Sequence, residues 1–266
     1  GEKQEPQQLA CLSGRWTRRP SGLKFEFEFI RFESSLAQIP QRLQGRAAGF
    51  RPCETRELVA GEEFIRQGDK PKSAAVVIEG IMARYHTLRS GTRQYLALHY
   101  PGDWPDAQGL FLQSMDHSVC AMGRALVCSI SHEQLMKMFD ERPTIGFAVW
   151  RETLIDAAIF RESITNNASR HGTSRIAHFF CEQFSRAKFA GLAEANSCPL
   201  PLTQTQLGEM LGMSLVSVNR HLQALRQTKS ADFRAGRLFV RSWPKLVSLG
   251  EFDPGYLHQI VPPSRS

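Results

Sequence analysis

Leu202-Thr203-Gln204-Thr205-Gln206-Leu207-Gly208-Glu209-Met210-Leu211-Gly212-Met213-Ser214-Leu215-Val216-Ser217-Val218-Asn219-Arg220-His221-Leu222-Gln223-Ala224-Leu225 is the stretch that decides how the chain is read. Thr203 followed three residues later by Gln206 makes a capping box, which opens a helix. Leu207, Met210 and Leu211 give that helix an apolar face. Gly212 supplies the positive φ of a sharp turn, and Ser214 is placed to cap a second helix. Val218, Leu222 and Leu225 give the second helix its buried side. Two helices joined by a short glycine-containing turn form a helix-turn-helix. In that arrangement the N-terminal end of the second helix enters the DNA major groove. Ser217 and Asn219 can hydrogen-bond base edges there, Val216 can touch a thymine methyl, and Arg220 can grip guanine or a phosphate. Thr203, Gln204 and Ser214 stand at helix starts, where hydroxyls and backbone N–H groups meet phosphates.

Working outward, Asp232-Phe233-Arg234-Ala235-Gly236-Arg237-Leu238-Phe239-Val240 places two short β-type runs around Ala235-Gly236, a hairpin signal. Arg234 and Arg237 bracket its tip, so the hairpin reads as a basic wing for the DNA backbone. Charge agrees with this placement. The 266 residues carry a formal net charge of +7, and residues 170–266 hold 12 Lys+Arg against 6 Asp+Glu. A basic block of that kind favours a polyanion, nucleic acid before an anionic membrane surface. Hydrophobic residues at 42% and charged residues at 22% exclude a wholly disordered chain.

Toward the N-terminus the texture changes twice. Thr144–Ala168 reads as one long helix after Pro143, with a stripe through Phe147, Trp150, Leu154, Ala157 and Ile164 and a second through Ala148, Ile155 and Ile159. Two stripes call for two packing partners, the β-domain and a second copy of the helix, although Arg161 interrupts the first. A further amphipathic helix covers Ser174–Lys188. From about Arg56 to Ile130, short apolar runs are separated by Gln67-Gly68-Asp69, Glu79-Gly80, Arg89-Ser90-Gly91 and Tyr100-Pro101-Gly102-Asp103, the pattern of a rolled antiparallel sheet. The alternation Phe25–Phe29 suggests a strand, and Ser34–Leu43 a short helix. The fold class expected is α+β: an N-terminal antiparallel β-roll, a long dimerisation helix and a C-terminal winged helix-turn-helix. The expected boundaries are 1–45 for an N-terminal extension, 46–142 for the roll, 143–169 for the dimerisation helix, 170–245 for the winged helix and 246–266 for a tail.

Other chemistries lack their signatures. The six cysteines are scattered with no Cys-x-x-Cys pair, which removes zinc-finger readings and suggests reduced thiols. His86 and His99 are the nearest approach to a jelly-roll metal site, thirteen positions apart with no His-x-His anywhere. No Gly-x-Ser-x-Gly or Gly-rich Lys-Ser/Thr loop occurs. An enzyme is therefore not expected, and a metal-dependent jelly-roll enzyme stands only as the lesser alternative. No run of about 18 apolar residues spans a membrane. Gly1–Glu5 lacks an apolar signal core, so a cytoplasmic protein is expected.

With these parts in order, residues 50–245 resemble the CRP/FNR superfamily of bacterial transcription regulators. Leu202–Leu225 and the run Gly61-Glu62-Glu63-Phe64-Ile65-Arg66-Gln67-Gly68-Asp69 carry the resemblance, helped by the Glu79-Gly80, Gly91 and Pro101-Gly102-Asp103 spacing. It implies a cyclic-nucleotide-binding-like roll, a homodimer, a palindromic DNA site and contact with RNA polymerase. The ligand wall departs from the family. Family members that bind cyclic AMP use a Glu for the ribose and an Arg-containing step for the phosphate. Here Ala107 and His117-Ser118-Val119 fall at those places, and Asp106 would repel a phosphate. Cyclic AMP is thus disfavoured, and the expected effector is unidentified, met by Asp106, Gln108, His117 and Ser118. An effector-independent regulator with a purely structural roll is the other reading. Cys11 and Cys53 do not make the N-terminal cysteine cluster of the iron–sulfur type, so no cofactor or metal is expected. At the reading helix the family's usual Glu is Val216, Asn219 replaces a Ser or Gly, and Arg220 is retained, which implies a changed base preference. The family's "Gly-Leu-Ile" after that helix is Lys229-Ser230-Ala231 here.

Overall fold

The structure is a computed structural model and describes residues 54–259 together with two short strands near the N-terminus. Those strands, β1 (Thr17–Arg19) and β2 (Gly22–Lys24), pair antiparallel with Thr17 opposite Lys24, in a unit separate from the one formed by residues 50–261. The strand and helix expected over Phe25–Phe29 and Ser34–Leu43 lie outside the described residues, as do Cys11 and Cys53.

The larger unit opens with seven antiparallel strands: β3 (Glu54–Leu58), β4 (Glu63–Ile65), β5 (Ser73–Glu79), β6 (Met82–Thr87), β7 (Arg93–His99), β8 (Ser118–Ala121) and β9 (Ala125–Ser131). They form two sheets, ordered β3-β9-β5 and β4-β8-β6-β7. Each run is short, and Gly68, Gly80, Gly91 and Gly102 at positive φ turn the chain between them, as the spacing of turn residues required. Ala75, Val77, Met82, Val119 and Val127 fill the interior of the roll. On the strands facing away from it, Ala83, Tyr85, Tyr95 and Leu98 join a second core built from the helices.

The helices begin with α1 (His132–Glu141), which the sequence reading did not anticipate. Ser131 and Gln134 cap it reciprocally. Next comes α2 (Pro143–Ser169), opened by Pro143 in its first turn where a missing N–H costs nothing. Its two stripes part company. Ala148 and Ile159 are buried, while Phe147, Trp150, Leu154 and Ile164 stay exposed, Trp150 at 61%. Helix α3 (Gly172–Phe189) is the centre of the second core, with Ile176, Phe180 and Cys181 fully enclosed. Burying a phenylalanine completely is worth about 1.5–3 kcal/mol.

Strand β10 (Ser197–Pro199) leads to α4 (Gln204–Leu211) and α5 (Leu215–Gln227), and then to the hairpin β11 (Ala231–Arg234) and β12 (Arg237–Val240), in a sheet ordered β10-β12-β11. Helix α6 (Trp243–Gly250) follows. The segment read as a tail from 246 onward is packed: Leu246, Phe252 and Leu257 are buried. Gly250 lies so close to α3 that a Cβ would stand 2.6 Å from the His178 backbone nitrogen, so no larger residue fits without displacing the helix. The thiols of Cys120, Cys181 and Cys198 are free and buried, and burial pushes those of Cys181 and Cys198 up to about 12. Cys128 is disulfide-bonded, against the expectation of reduced thiols throughout. Among the described residues no helix is long and apolar enough to cross a membrane.

Candidate nucleic-acid interface

The turn between α4 and α5 forms as its residues dictate. The Thr203 hydroxyl accepts from the Gln206 N–H at 3.1 Å, and the Gln206 carboxamide oxygen accepts from the Thr203 N–H at 2.8 Å. Gly212 takes φ +64°, and the Ser214 hydroxyl accepts from the Ser217 N–H at 3.2 Å. Val218, Leu222 and Leu225 seal the back of α5. The opposite face is open: Leu215, Val216, Asn219 and Arg220 are exposed, Val216 at 79%. Ser217 is half-buried. The first turn of α5 therefore projects Leu215 and Val216 to solvent at a helix N-terminus, whose dipole suits an anionic ligand.

Two of these side chains have resting partners. Asn219 donates its Nδ2 to the Leu215 carbonyl at 3.0 Å, and Arg220 meets His221 Nε2 at 3.3 Å. Because a guanidinium only donates, Nε2 is the acceptor, and the proton sits on Nδ1, 2.9 Å from the Thr173 hydroxyl. Burial and the neighbouring Arg220 both lower the His221 pKa, which keeps the ring neutral. These bonds are single and solvent-exposed at the helix surface, so a base edge or phosphate can replace them.

The hairpin turns at Ala235 and Gly236, both at positive φ, with Arg234 and Arg237 directly paired across it. Arg234 lies over the Phe239 ring at 5.0 Å and is largely exposed. Arg237 bends away toward Glu194 at 3.0 Å and the Ser197 hydroxyl at 3.1 Å. Ahead of the wing, Lys229 adopts φ +53° where the family's pattern has Gly, a strain of about 1–2 kcal/mol. The buried Ser230 hydroxyl donates to the Leu225 carbonyl at 3.1 Å, replacing apolar packing with a hydrogen bond.

The four candidate effector residues lie together on the roll. Asp106 is wholly enclosed. Its Oδ1 accepts from the Ala75 N–H at 2.9 Å, and its Oδ2 has no partner among the described residues. Burial pushes its carboxyl up to about 7. His117 Nδ1 bonds Asp116 at 2.6 Å and its Nε2 meets the Gln108 carboxamide at 3.3 Å, while the Ser118 hydroxyl accepts from the Gln67 N–H at 3.0 Å. Arg84, the cation that acts on both Asp106 and His117, is itself buried and committed, with Nη1 on Asp156 at 2.6 Å and Nη2 on the Pro105 carbonyl at 2.7 Å. The Asp106 carboxyl is sealed in, and Arg84 keeps its buried Nε without a partner among the described residues. Among the described residues no group of three or more His, Cys, Asp or Glu could hold a metal ion.

Sequence reasoning missed how α4 is seated. Gln206 donates Nε2 to the Tyr95 hydroxyl at 3.1 Å, Gln94 donates to the Glu209 carbonyl, and Asn167 donates to the Met210 carbonyl at 3.3 Å. The first helix of the motif is thereby fastened to β7 and to the end of α2. No local signal marks residues 94, 95 and 167, since their partners are more than forty positions away.

A β-roll carried by a long helix onto a winged helix-turn-helix is the build of a DNA-binding transcription regulator. Residues 55–142 match the cyclic nucleotide-binding domain family, and residues 174–249 match the Crp-like helix-turn-helix domain family. The chain belongs to the CRP/FNR superfamily. The transcriptional activator protein FnrL of Cereibacter sphaeroides is 27% identical over 175 residues, 65% of this chain and 70% of its own. The nitrogen fixation regulation protein FixK of Bradyrhizobium diazoefficiens is 24% identical, over 63% of this chain and 70% of its own. Among solved structures, FixK2 from Bradyrhizobium japonicum superposes with a TM-score of 0.66 at 23% identity, covering 74% of this chain and 96% of that one. A CRP-family transcriptional regulator from Thermus thermophilus gives 0.58 at 15%, covering 74% and 97%.

Proposed function

We propose that this protein acts in the cytoplasm as a homodimer that reads a palindromic DNA site, through Val216, Ser217, Asn219 and Arg220 on α5. In this reading Thr203, Gln204 and Ser214 approach phosphates at helix starts, and Arg234 and Arg237 do so from the wing. The observation that carries the reading is the exposed N-terminal face of α5, backed by a fully buried Val218, Leu222 and Leu225. An exposed Val216 in that position serves no packing purpose, and a thymine methyl is its natural partner.

Dimerisation rests on α2. Phe147, Trp150, Leu154 and Ile164 recur at helical spacing and face solvent, and a row of large apolar side chains along a 27-residue helix is the seam of a helix pair. Two α5 helices then grip half-sites about 34 Å apart, one turn of DNA. Contact with RNA polymerase belongs to the same reading. Any effector acts through the roll without the charge pair that a cyclic nucleotide needs. Asp106, Gln108, His117 and Ser118 support that wall, with most of their polar atoms engaged inside the protein.

Selection of binding sites from random double-stranded DNA tests the proposal. An enriched inverted repeat with half-sites one turn apart is the expected result, with affinity falling steeply as salt rises. Recovery of no repeat would sink it.

A further inference from the structure

His221 follows Arg220 on α5, and its ring is held from another helix. A Cβ on Gly172, the first residue of α3, would stand 2.5 Å from His221 Nε2 and 2.9 Å from Nδ1. The imidazole therefore lies against bare backbone, in space that any other residue at 172 would fill. Gly172 takes φ +42°, a conformation that glycine adopts without steric strain. The Thr173 hydroxyl, in the same first turn of α3, accepts from Nδ1 at 2.9 Å. A glycine seat and a hydroxyl thus fix both the place and the orientation of a half-buried ring. Helix α3 is the enclosed centre of its core, so the ring is anchored to a rigid element.

With its proton turned to Thr173, the ring presents Nε2 to Arg220, whose Nη2 donates to it at 3.3 Å. Among the described residues no other hydrogen bond or ion pair engages Arg220. An exposed arginine otherwise samples many rotamers, and ordering it on a ligand opposes binding. A tether at Nη2 removes part of that opposition and leaves the rest of the guanidinium fork for a guanine edge. The tether needs a neutral ring. A proton on Nε2 would remove the acceptor and put a like charge beside the guanidinium. Arg220 is the charge that acts on the ring among the described residues, while α3 faces it with Gly172 and Thr173, which do not titrate. The other charged groups of the neighbouring elements, Arg175 in the first turn of α3, Glu209 of α4 and Asp232 and Arg234 of β11, do not act on it.

We infer that His221 is a positioning residue for base reading: seated on Gly172 and Thr173, its neutral ring holds Arg220 ready for one base pair, and protonation releases it. The inference rests on the DNA-binding reading above and assigns to one residue the control of Arg220.

The test uses the full chain, the selected DNA site and its single-base variants. Discrimination is the ratio of affinities for the preferred and the other base pairs at the position that Arg220→Ala relaxes. His221→Leu fills the seat of the ring without an acceptor. It is expected to lower discrimination about 2- to 10-fold, with affinity for unrelated DNA unchanged because the Arg220 charge remains. His221→Gln offers, in place of Nε2, an acceptor that takes no proton, and is expected to discriminate about as well as the parent. Nuclear magnetic resonance of histidine-labelled protein follows the ring. In the complex, the parent's discrimination should fall toward that of His221→Leu as pH drops through the midpoint of His221, and that of His221→Gln should not. Without DNA, Arg220→Ala removes the neighbouring charge and should raise that midpoint.

Equal discrimination by His221→Leu and the parent would overturn the inference. So would uniform weakening by His221→Leu on every sequence, which a merely structural histidine gives. A glutamine variant no better than leucine, a parent profile flat through the midpoint, a midpoint unmoved by Arg220→Ala, or an Arg220→Ala that relaxes no position would each overturn it as well. Site selection that returns no inverted repeat sinks the DNA-reading proposal and this one together. A repeat recovered alongside any of the contrary results sinks this one alone.

Discussion

Arg186 of α3 closes its guanidinium on Asp103 in the roll's Pro101-Gly102-Asp103 turn, Nη2 to Oδ2 at 2.9 Å, while lying over the Tyr100 ring at 5.2 Å. One ion pair thus joins the β-roll to the helix at the centre of the winged-helix core. Burial raises the Asp103 carboxyl and the Arg186 charge opposes that rise. Asp103→Asn strands a buried guanidinium whose next carboxylate, Glu182, stands 3.9 Å away. Because 31% of the Asp103 side chain stays exposed, the expected loss is about 1–3 kcal/mol, below the 3–5 of a fully buried pair. Urea unfolding reads it, and an unchanged midpoint would show that the pair contributes nothing.

Asp106 sets a pH dependence. Its pKa is raised from 3.8 to about 7 by burial. Between those values the folded protein holds a proton that the unfolded chain has released, so stability is greatest below about pH 4 and declines until about pH 7. The decline from this group is at most about 4 kcal/mol. Asp106→Asn cannot lose a proton, so its thermal unfolding curve should be flatter over that window than the parent's. Parallel curves would refute the assignment.

Arg220→Ala should cost about 1–3 kcal/mol of DNA affinity and relax one base position, as loss of a bidentate base contact does. Binding titrations against single-base variants of the selected site decide it. Equal weakening on every variant would make Arg220 a phosphate contact instead.

Val216→Glu restores the residue usual in the family. With 79% of Val216 exposed, folding stability should change by less than about 0.5 kcal/mol. The selected half-site should move toward a base pair whose cytosine N4 amine can donate to the new carboxylate. Site selection that returns the parent sequence would place residue 216 outside the groove.

Leu154→Glu puts a charge in the exposed α2 stripe without touching the buried one through Ala148 and Ile159. Sedimentation should show a dimer converted to folded monomer. A dimer that survives this substitution and Trp150→Glu as well would place the interface elsewhere.

Much of the candidate interface was legible locally. Thr203 and Gln206 cap each other at a separation of three residues, Gly212 turns one residue beyond α4, and Ser214 caps the helix that begins at residue 215. Such features need only neighbours along the chain, so residue type and spacing suffice to determine them. The strands of the roll were legible through short apolar runs separated by glycine turns. The helix at His132–Glu141 carried its own capping box and an apolar face of Leu135, Met138 and Phe139, yet was read through as part of the roll; of its residues only Leu135 is buried.

What the sequence by itself determined, then, is the order of the parts and the caps and turn that build the helix-turn-helix. Tertiary structure decided which of the two α2 stripes turns inward, that Arg84 and Asp106 are sealed into the roll, and that the stretch after residue 245 packs through Leu257. It also decided that α4 is seated on β7 by pairs such as Tyr95 and Gln206, 111 positions apart. Partners at that distance are chosen by the packing of whole elements against one another, and nothing in the spacing of either residue's neighbours records the choice.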